Sequence, residues 1–292
     1  MIDFQKIRAI DFHTHAEEPC GCHTDDGLDD LHAAMASYFN APWSHPPTIE
    51  QTAAHYREQN VAAVIFPVDA ERETGYTRYD NYQVADICSK NSDILIPFAS
   101  VDPAKGKKGA REARDLVANH GIQGFKFHPT MQGFYPNDRV AYPLYEAIAE
   151  TGKPALFHTG QTGVGSGMPG GNGMRLKYSN PMYMDDVAVD FPDMPIILAH
   201  PSFPWQEEAL SVAQHKPNVY IDLSGWSPKY FPEILVRYAN TLLREKMLFG
   251  SDWPMIAPEK WLNAFEKANF RDEVRPLILK ENAMKLLGVN PQ

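Results

Sequence analysis

A distorted (β/α)₈ TIM barrel is the fold this sequence predicts, and three observations predict it. Short apolar, β-branched runs recur along the chain, stretches of helical composition separate most of them, and polar residues stand at the ends of several runs. Apolar strands alternating with helices imply parallel strands covered by helices, and eight such units close into a barrel. A chain of 292 residues suits one barrel domain over 1–292. The rival arrangement, an open doubly wound sheet, expects a GxGxxG turn after its first strand, and this chain carries a histidine pair there instead.

The strands are expected at 7–12, 61–68, 94–101, 122–127, 155–158, 196–200, 219–223 and 247–249, each a short run rich in Val, Ile, Leu and Phe. Helices are expected between them at 49–58, 79–89, 109–119, 143–150, 207–214 and 232–243. No repeat or Ser/Gly linker divides the chain. Two connections are long: 16–47, and the segment 160–173, which holds seven glycines. They read as lids over one end of the barrel.

The balance of 37 acidic against 27 basic residues gives a net charge of −10, which disfavours attraction to nucleic acid or an anionic membrane and points to a small-molecule partner. The first sixteen residues hold no apolar run of signal-peptide length, and no run reaches the length of a membrane span, so a cytoplasmic location is expected. Three cysteines are too few for a disulfide framework and agree with a reducing compartment.

The strongest local signal is Asp11-Phe12-His13-Thr14-His15 at the end of the first strand. Residues two apart on a strand face one side, so His13 and His15 direct both imidazoles at one point, which suits a metal. Alone, such a pair also reads as two ordinary polar residues leaving a strand. Polar residues recur, however, at the ends of later strands: His128, His158, His200 and Asp252. In a parallel barrel all these ends meet on one face. Taken singly, Asp252 also reads as a helix cap before Trp253-Pro254, and His200 as a group satisfying backbone beside Pro201.

These motifs, His13-Thr14-His15, Phe157-His158, Ala199-His200-Pro201 and Phe249-Gly250-Ser251-Asp252-Trp253-Pro254, resemble those of the amidohydrolase superfamily, most closely its amidohydrolase-2 branch. The stretch 280–288 resembles that branch's closing helix, so the likeness spans nearly the whole chain. The resemblance implies His13, His15, His158 and Asp252 as ligands of one divalent metal, His200 as catalytic acid/base, and a second role for Asp252 in orienting or deprotonating water. Three neutral imidazoles and a carboxylate suit Zn²⁺, which lowers the pKa of water to about 7. It further implies a hydrolase attacking a carbonyl carbon of a small aromatic or carboxylated substrate, with C–C cleavage of a β-keto compound as one form. Relatives in the branch make non-oxidative decarboxylation of an aromatic or enoic acid the alternative. A homodimer is also implied. A barrel that has lost catalysis and only binds is the third reading, and the presence of all five core residues opposes it.

Candidate substrate residues surround this set. Lys126 and His128 share one face of the fourth strand; Lys126 is read as binding a substrate anion or a neighbouring carboxylate, or as a plain ion pair. Arg175, with Arg72, Arg78 and Arg139 on other connections, supplies candidate clamps for an acidic substrate. Trp226 and Trp253 are placed to floor an aromatic pocket or to pack in the core. Backbone N–H groups of the 160–173 loop are suited to cradle an anion, and flexibility alone is the other account. Glu17 is read either as a partner at the site or as a solvated loop carboxylate. Cys20, Cys22 and His23 lack the spacing and the fourth ligand of a zinc site, so that loop reads as lid.

Overall fold

The computed structural model describes residues 1–17, 30–41 and 46–289. Eight strands follow in chain order: β1 (Ala9–His15), β2 (Val61–Phe66), β3 (Leu95–Pro97), β4 (Phe125–Phe127), β5 (Ala155–His158), β6 (Ile196–Ala199), β7 (Val219–Asp222) and β8 (Met247–Leu248). All neighbouring pairs are parallel and form two sheets, β1-β2-β3 and β4-β5-β6-β7-β8. Two seams join the sheets into a closed, distorted barrel. Thr14 bridges Trp253 across one and Ala99 bridges Phe125 across the other. Backbone hydrogen bonds tighten both: Asp252 N–H donates to the His13 carbonyl at 3.0 Å, and Lys126 N–H to that of Ala99 at 2.7 Å.

Every residue of β2 is buried, as a strand must be when helices cover one face and side chains fill the barrel on the other. The helix Ile49–Gln59 starts at a reciprocal cap between Thr48 and Gln51, ends at Asn60 in the left-handed region, and buries Ile49, Thr52, Ala53 and Tyr56 against the barrel. The expected helices appear at Asn81–Lys90, Gly106–His120, Tyr142–Thr151, Gln206–His215 and Glu233–Ala239. No helix among the described residues is long and apolar enough to cross a membrane.

Two features depart from the sequence reading. β1 runs on through His15, and its pairing with β2 slips by one residue between Asp11 and Thr14. Asp11 stabilises this bulge by accepting the His13 N–H at 3.1 Å. The connection 16–47 also carries a helix, Asp30–Phe39. Its Leu31 and Met35 join Met255 in a small apolar cluster separate from the barrel core, with Phe39, Tyr76, Val164 and Met168 packed around it.

Candidate metal centre

The C-terminal strand ends open into a cavity of about 480 Å³. At its floor His13, His15 and Asp252 each offer a ligand atom within 4.8 Å of the others. Asp252 Oδ1 lies 3.1 Å from His15 Nε2 and 3.4 Å from His13 Nε2. Despite the bulge, the two histidines therefore share a face. The Asp252 carboxylate turns to them and caps no helix.

Each imidazole is oriented by a partner on its other nitrogen. His13 Nδ1 donates to Asp222 Oδ2 at 2.7 Å, which leaves the Nε2 lone pair between Lys126 Nζ at 3.1 Å and Asp252 Oδ1 at 3.4 Å. His15 Nδ1 lies 3.6 Å from Glu17, which reaches on to His32 of the Asp30–Phe39 helix at 3.4 Å. Glu17 is thus a partner of the site. His200 contacts Ser224 Oγ through Nδ1 at 2.9 Å and His158 Nδ1 through Nε2 at 3.0 Å. Its ring centroid lies 4.9 Å from that of His13 and 4.8 Å from that of His158, so His158 adjoins the group through His200. The His158 Nε2 atom is buried without a hydrogen-bond partner. The tautomer in which His158 Nδ1–H donates to His200 leaves that Nε2 a lone pair with no donor to fill it. A divalent cation would suit the His13, His15 and Asp252 atoms; among the described residues His13, His200 and Asp222 form a second such group, and His158 belongs to neither.

Electrostatics favour the same occupant. Burial holds His13, His128, His158 and His200 below the ordinary histidine pKa, so each is a neutral imidazole at pH 7. Burial alone would raise Asp252, but the His15 hydrogen bond and the histidines that face it hold it below the usual carboxylate range. A neutral imidazole set beside an ionised carboxylate is the state that binds metal. The backbone marks the same two residues: His200 (φ 72°) and Asp252 (φ 74°) both sit in the left-handed region, a conformation kept at the cost of strain and concentrated at functional sites.

The remaining candidates divide. His128 lines the cavity and stacks on His158, with ring centroids 3.9 Å apart; its Nδ1 accepts the Met131 N–H and so is not free for a metal. Trp226 lines the cavity. Trp253 does not: it stacks on His55 at 4.6 Å and donates to Thr52 at 3.0 Å, because the chain after Asp252 turns outward towards the Ile49–Gln59 helix. Lys126 is wholly buried beneath the floor, 3.1 Å from His13 Nε2, and does not line the cavity, since β4 directs it into the barrel interior. Burial lowers its pKa to about 8. Arg175 is exposed and outside the cavity, Arg72 pairs with Asp102, and Arg139 with Asp190. Of the four arginines only Arg78 lines the cavity. The two expected lids meet over it: Tyr38 and Phe39 lie beside Gly163, where a methyl group would sit 2.4 Å from the Phe39 ring. Cys20, Cys22 and His23 lie outside the described residues.

Sequence reasoning missed Asp222 and Asp11. Asp222 repeats the signal used for the candidate ligands, a polar residue ending an apolar strand. Asp11, pushed up to about 7 by burial, accepts Tyr56 O–H at 2.7 Å and Ser251 N–H at 2.9 Å, tying β1 to the segment that carries Asp252.

A curated relative, protein fluG of Emericella nidulans, is 26% identical over 140 residues, covering 45% of this chain and 14% of that protein, so the match spans about a seventh of its length. An uncharacterized TIM-barrel protein of Bordetella bronchiseptica superposes with a TM-score of 0.77 at 22% identity, covering 96% and 98% of the two chains. A 5-carboxyvanillate decarboxylase of Novosphingobium aromaticivorans, complexed with manganese and a nitrobenzoic acid, superposes at 0.65 with 14% identity over 98% and 97%. A probable 2-pyrone-4,6-dicarboxylic acid hydrolase of Acinetobacter baumannii does so at 0.61 with 17% identity over 97% and 100%. The sequence profile of the amidohydrolase family matches residues 10–289, and with it nearly the whole chain belongs to the amidohydrolase superfamily, in its amidohydrolase-2 branch.

Proposed function

We propose that this protein is a metal-dependent hydrolase acting on a small aromatic or carboxylated molecule, with His13, His15, His158 and Asp252 holding one divalent ion, Zn²⁺ by the chemistry of the donors. The observation that carries the reading is the floor itself, where neutral imidazoles and an ionised carboxylate converge beside an orphaned His158 Nε2. When bound, such an ion polarises a substrate carbonyl and lowers the pKa of water.

The chain's own groups supply the proton transfers. His200, held neutral, can accept a proton at pH 7, while Asp252, held ionised below the usual carboxylate range, is the weaker base of the two. Water loses a proton to one of them as its oxygen bonds to the carbonyl carbon, and the same proton passes to the leaving group as the C–N, C–O or C–C bond breaks. Ser224 keeps the His200 ring in place through Nδ1.

Non-oxidative decarboxylation is the second reading, favoured by the likeness to the manganese-bound decarboxylase. It needs His200 or Asp252 to deliver a proton to carbon, the same transfer that hydrolysis makes to its leaving group. The test is metal analysis of wild type beside His158→Ala, followed by incubation with aromatic β-keto acyl compounds, lactones and hydroxybenzoates. About one equivalent of metal, lost in the variant, with acid release and no CO₂, is the expected result. CO₂ release assigns the carboxy-lyase reaction instead, and a metal-free wild type with full activity sinks both.

A further inference from the structure

The cavity has one permanently cationic side chain that the metal reading does not use. Among the described residues lining it, Arg78 is the only lysine or arginine. It stands in the loop after the short helix Glu71–Thr74, with its side chain 12% exposed. Asp69 Oδ1 lies 3.2 Å from Nε, Glu71 Oε2 lies 3.8 Å away, and Nη1 donates to the Tyr79 carbonyl at 3.1 Å. These contacts aim the guanidinium without exhausting it: Nε is sealed against Asp69 and Nη1 makes one hydrogen bond, while among the described residues Nη2 makes none. Asp69 does not require Arg78 for charge balance, because its Oδ2 already takes Lys105 Nζ at 2.7 Å and the Asp102 N–H at 2.8 Å. Arg78 is therefore oriented by Asp69 and left with donors for something else. Opposite the polar floor the cavity walls are apolar, with Leu31, Met35 and Met255 forming one side.

We propose that Arg78 anchors a carboxylate which the substrate carries in addition to its reacting group, so that the cavity selects small molecules with an acid group on a flat apolar body. The planar guanidinium fork matches a carboxylate in a way that an ammonium does not. The assignment of the reacting end rests on the proposed metal site; the anchor itself does not.

The test is calorimetric titration of isophthalate, benzoate and benzamide into zinc-loaded wild type, Arg78→Met and Arg78→Lys, with metal content and Tm measured on the same samples. Wild type binds isophthalate at least about 10-fold tighter than benzoate. Arg78→Met weakens isophthalate roughly 10- to 100-fold, erases its advantage over benzoate and keeps its metal. Arg78→Lys, which keeps the charge and loses the fork, falls between the two and carries the test should Arg78→Met unfold. Isophthalate binding unchanged in the variants, or no preference for it in wild type, overturns the proposal. Repeating the titrations on metal-free protein separates the two readings. A chain that takes up no metal contradicts the proposed function, while the effect of Arg78 on isophthalate persists there.

Discussion

His13 Nδ1 and Asp222 Oδ2 lie 2.7 Å apart, both side chains wholly buried, across 209 positions of sequence. That contact sets the tautomer of the imidazole and so decides which nitrogen faces the floor. Replacing Asp222 by Asn keeps the shape and removes the charge. Metal affinity is expected to fall roughly 10- to 100-fold, read by competition with a chromophoric chelator. Unchanged affinity would show that Asp222 does not orient the ligand.

Gly225 tests the placement of His200. It has φ +74°, and a Cβ added there would lie 2.6 Å from His200 Nδ1 and 3.3 Å from Asp252 Oδ2. Gly225→Ala must push the imidazole off Ser224, so turnover should drop about 100-fold or more while bound metal stays near one equivalent. Full turnover in this variant removes His200 from the proton path.

Acid should destabilise the protein, with the sign fixed by four histidines. His13, His128, His158 and His200 are held below the ordinary value mainly by burial, whereas in the unfolded chain they titrate near about 6.5. Below that pH the unfolded chain binds protons that the native chain does not. Their contribution is thus full above pH 6.5 and lost as pH falls, by up to about 1.4 kcal/mol per unit for each group. Asp11 acts in the opposite sense: raised to about 7, it keeps a proton that the unfolded carboxylate has released, so its contribution shrinks as pH rises from about 4 to 7. Urea midpoints measured on metal-free protein from pH 5 to 8 should fall steeply below 6.5, and a flat profile there contradicts the buried neutral state.

The two tryptophans should behave differently. Trp226 lines the cavity, so Trp226→Ala is expected to raise KM several-fold at unchanged Tm. Trp253 stacks on His55 and donates to Thr52, so Trp253→Phe should cost about 1 kcal/mol of stability and leave KM alone. Reversal of the two outcomes, read by thermal denaturation and steady-state kinetics, would put Trp253 at the substrate.

Most of the fold and the floor of the site were legible in the sequence because they follow from local rules. Apolar runs alternating with helical stretches specify parallel strands under helices, and in a barrel every strand end shares one face, so His13, His15, His158, His200 and Asp252 are brought together by chain order alone. Asp222 obeys the same rule and was within reach of it. Which arginine faces the cavity, which tryptophan turns away, and that Lys126 lies beneath the floor and not on it were decided by tertiary structure. Strand periodicity propagates along the backbone, but the direction of a loop side chain depends on the distant elements packed against it: Arg78 points inward because Asp69 and Tyr79 hold it, and Trp253 outward because the Ile49–Gln59 helix offers His55 and Thr52.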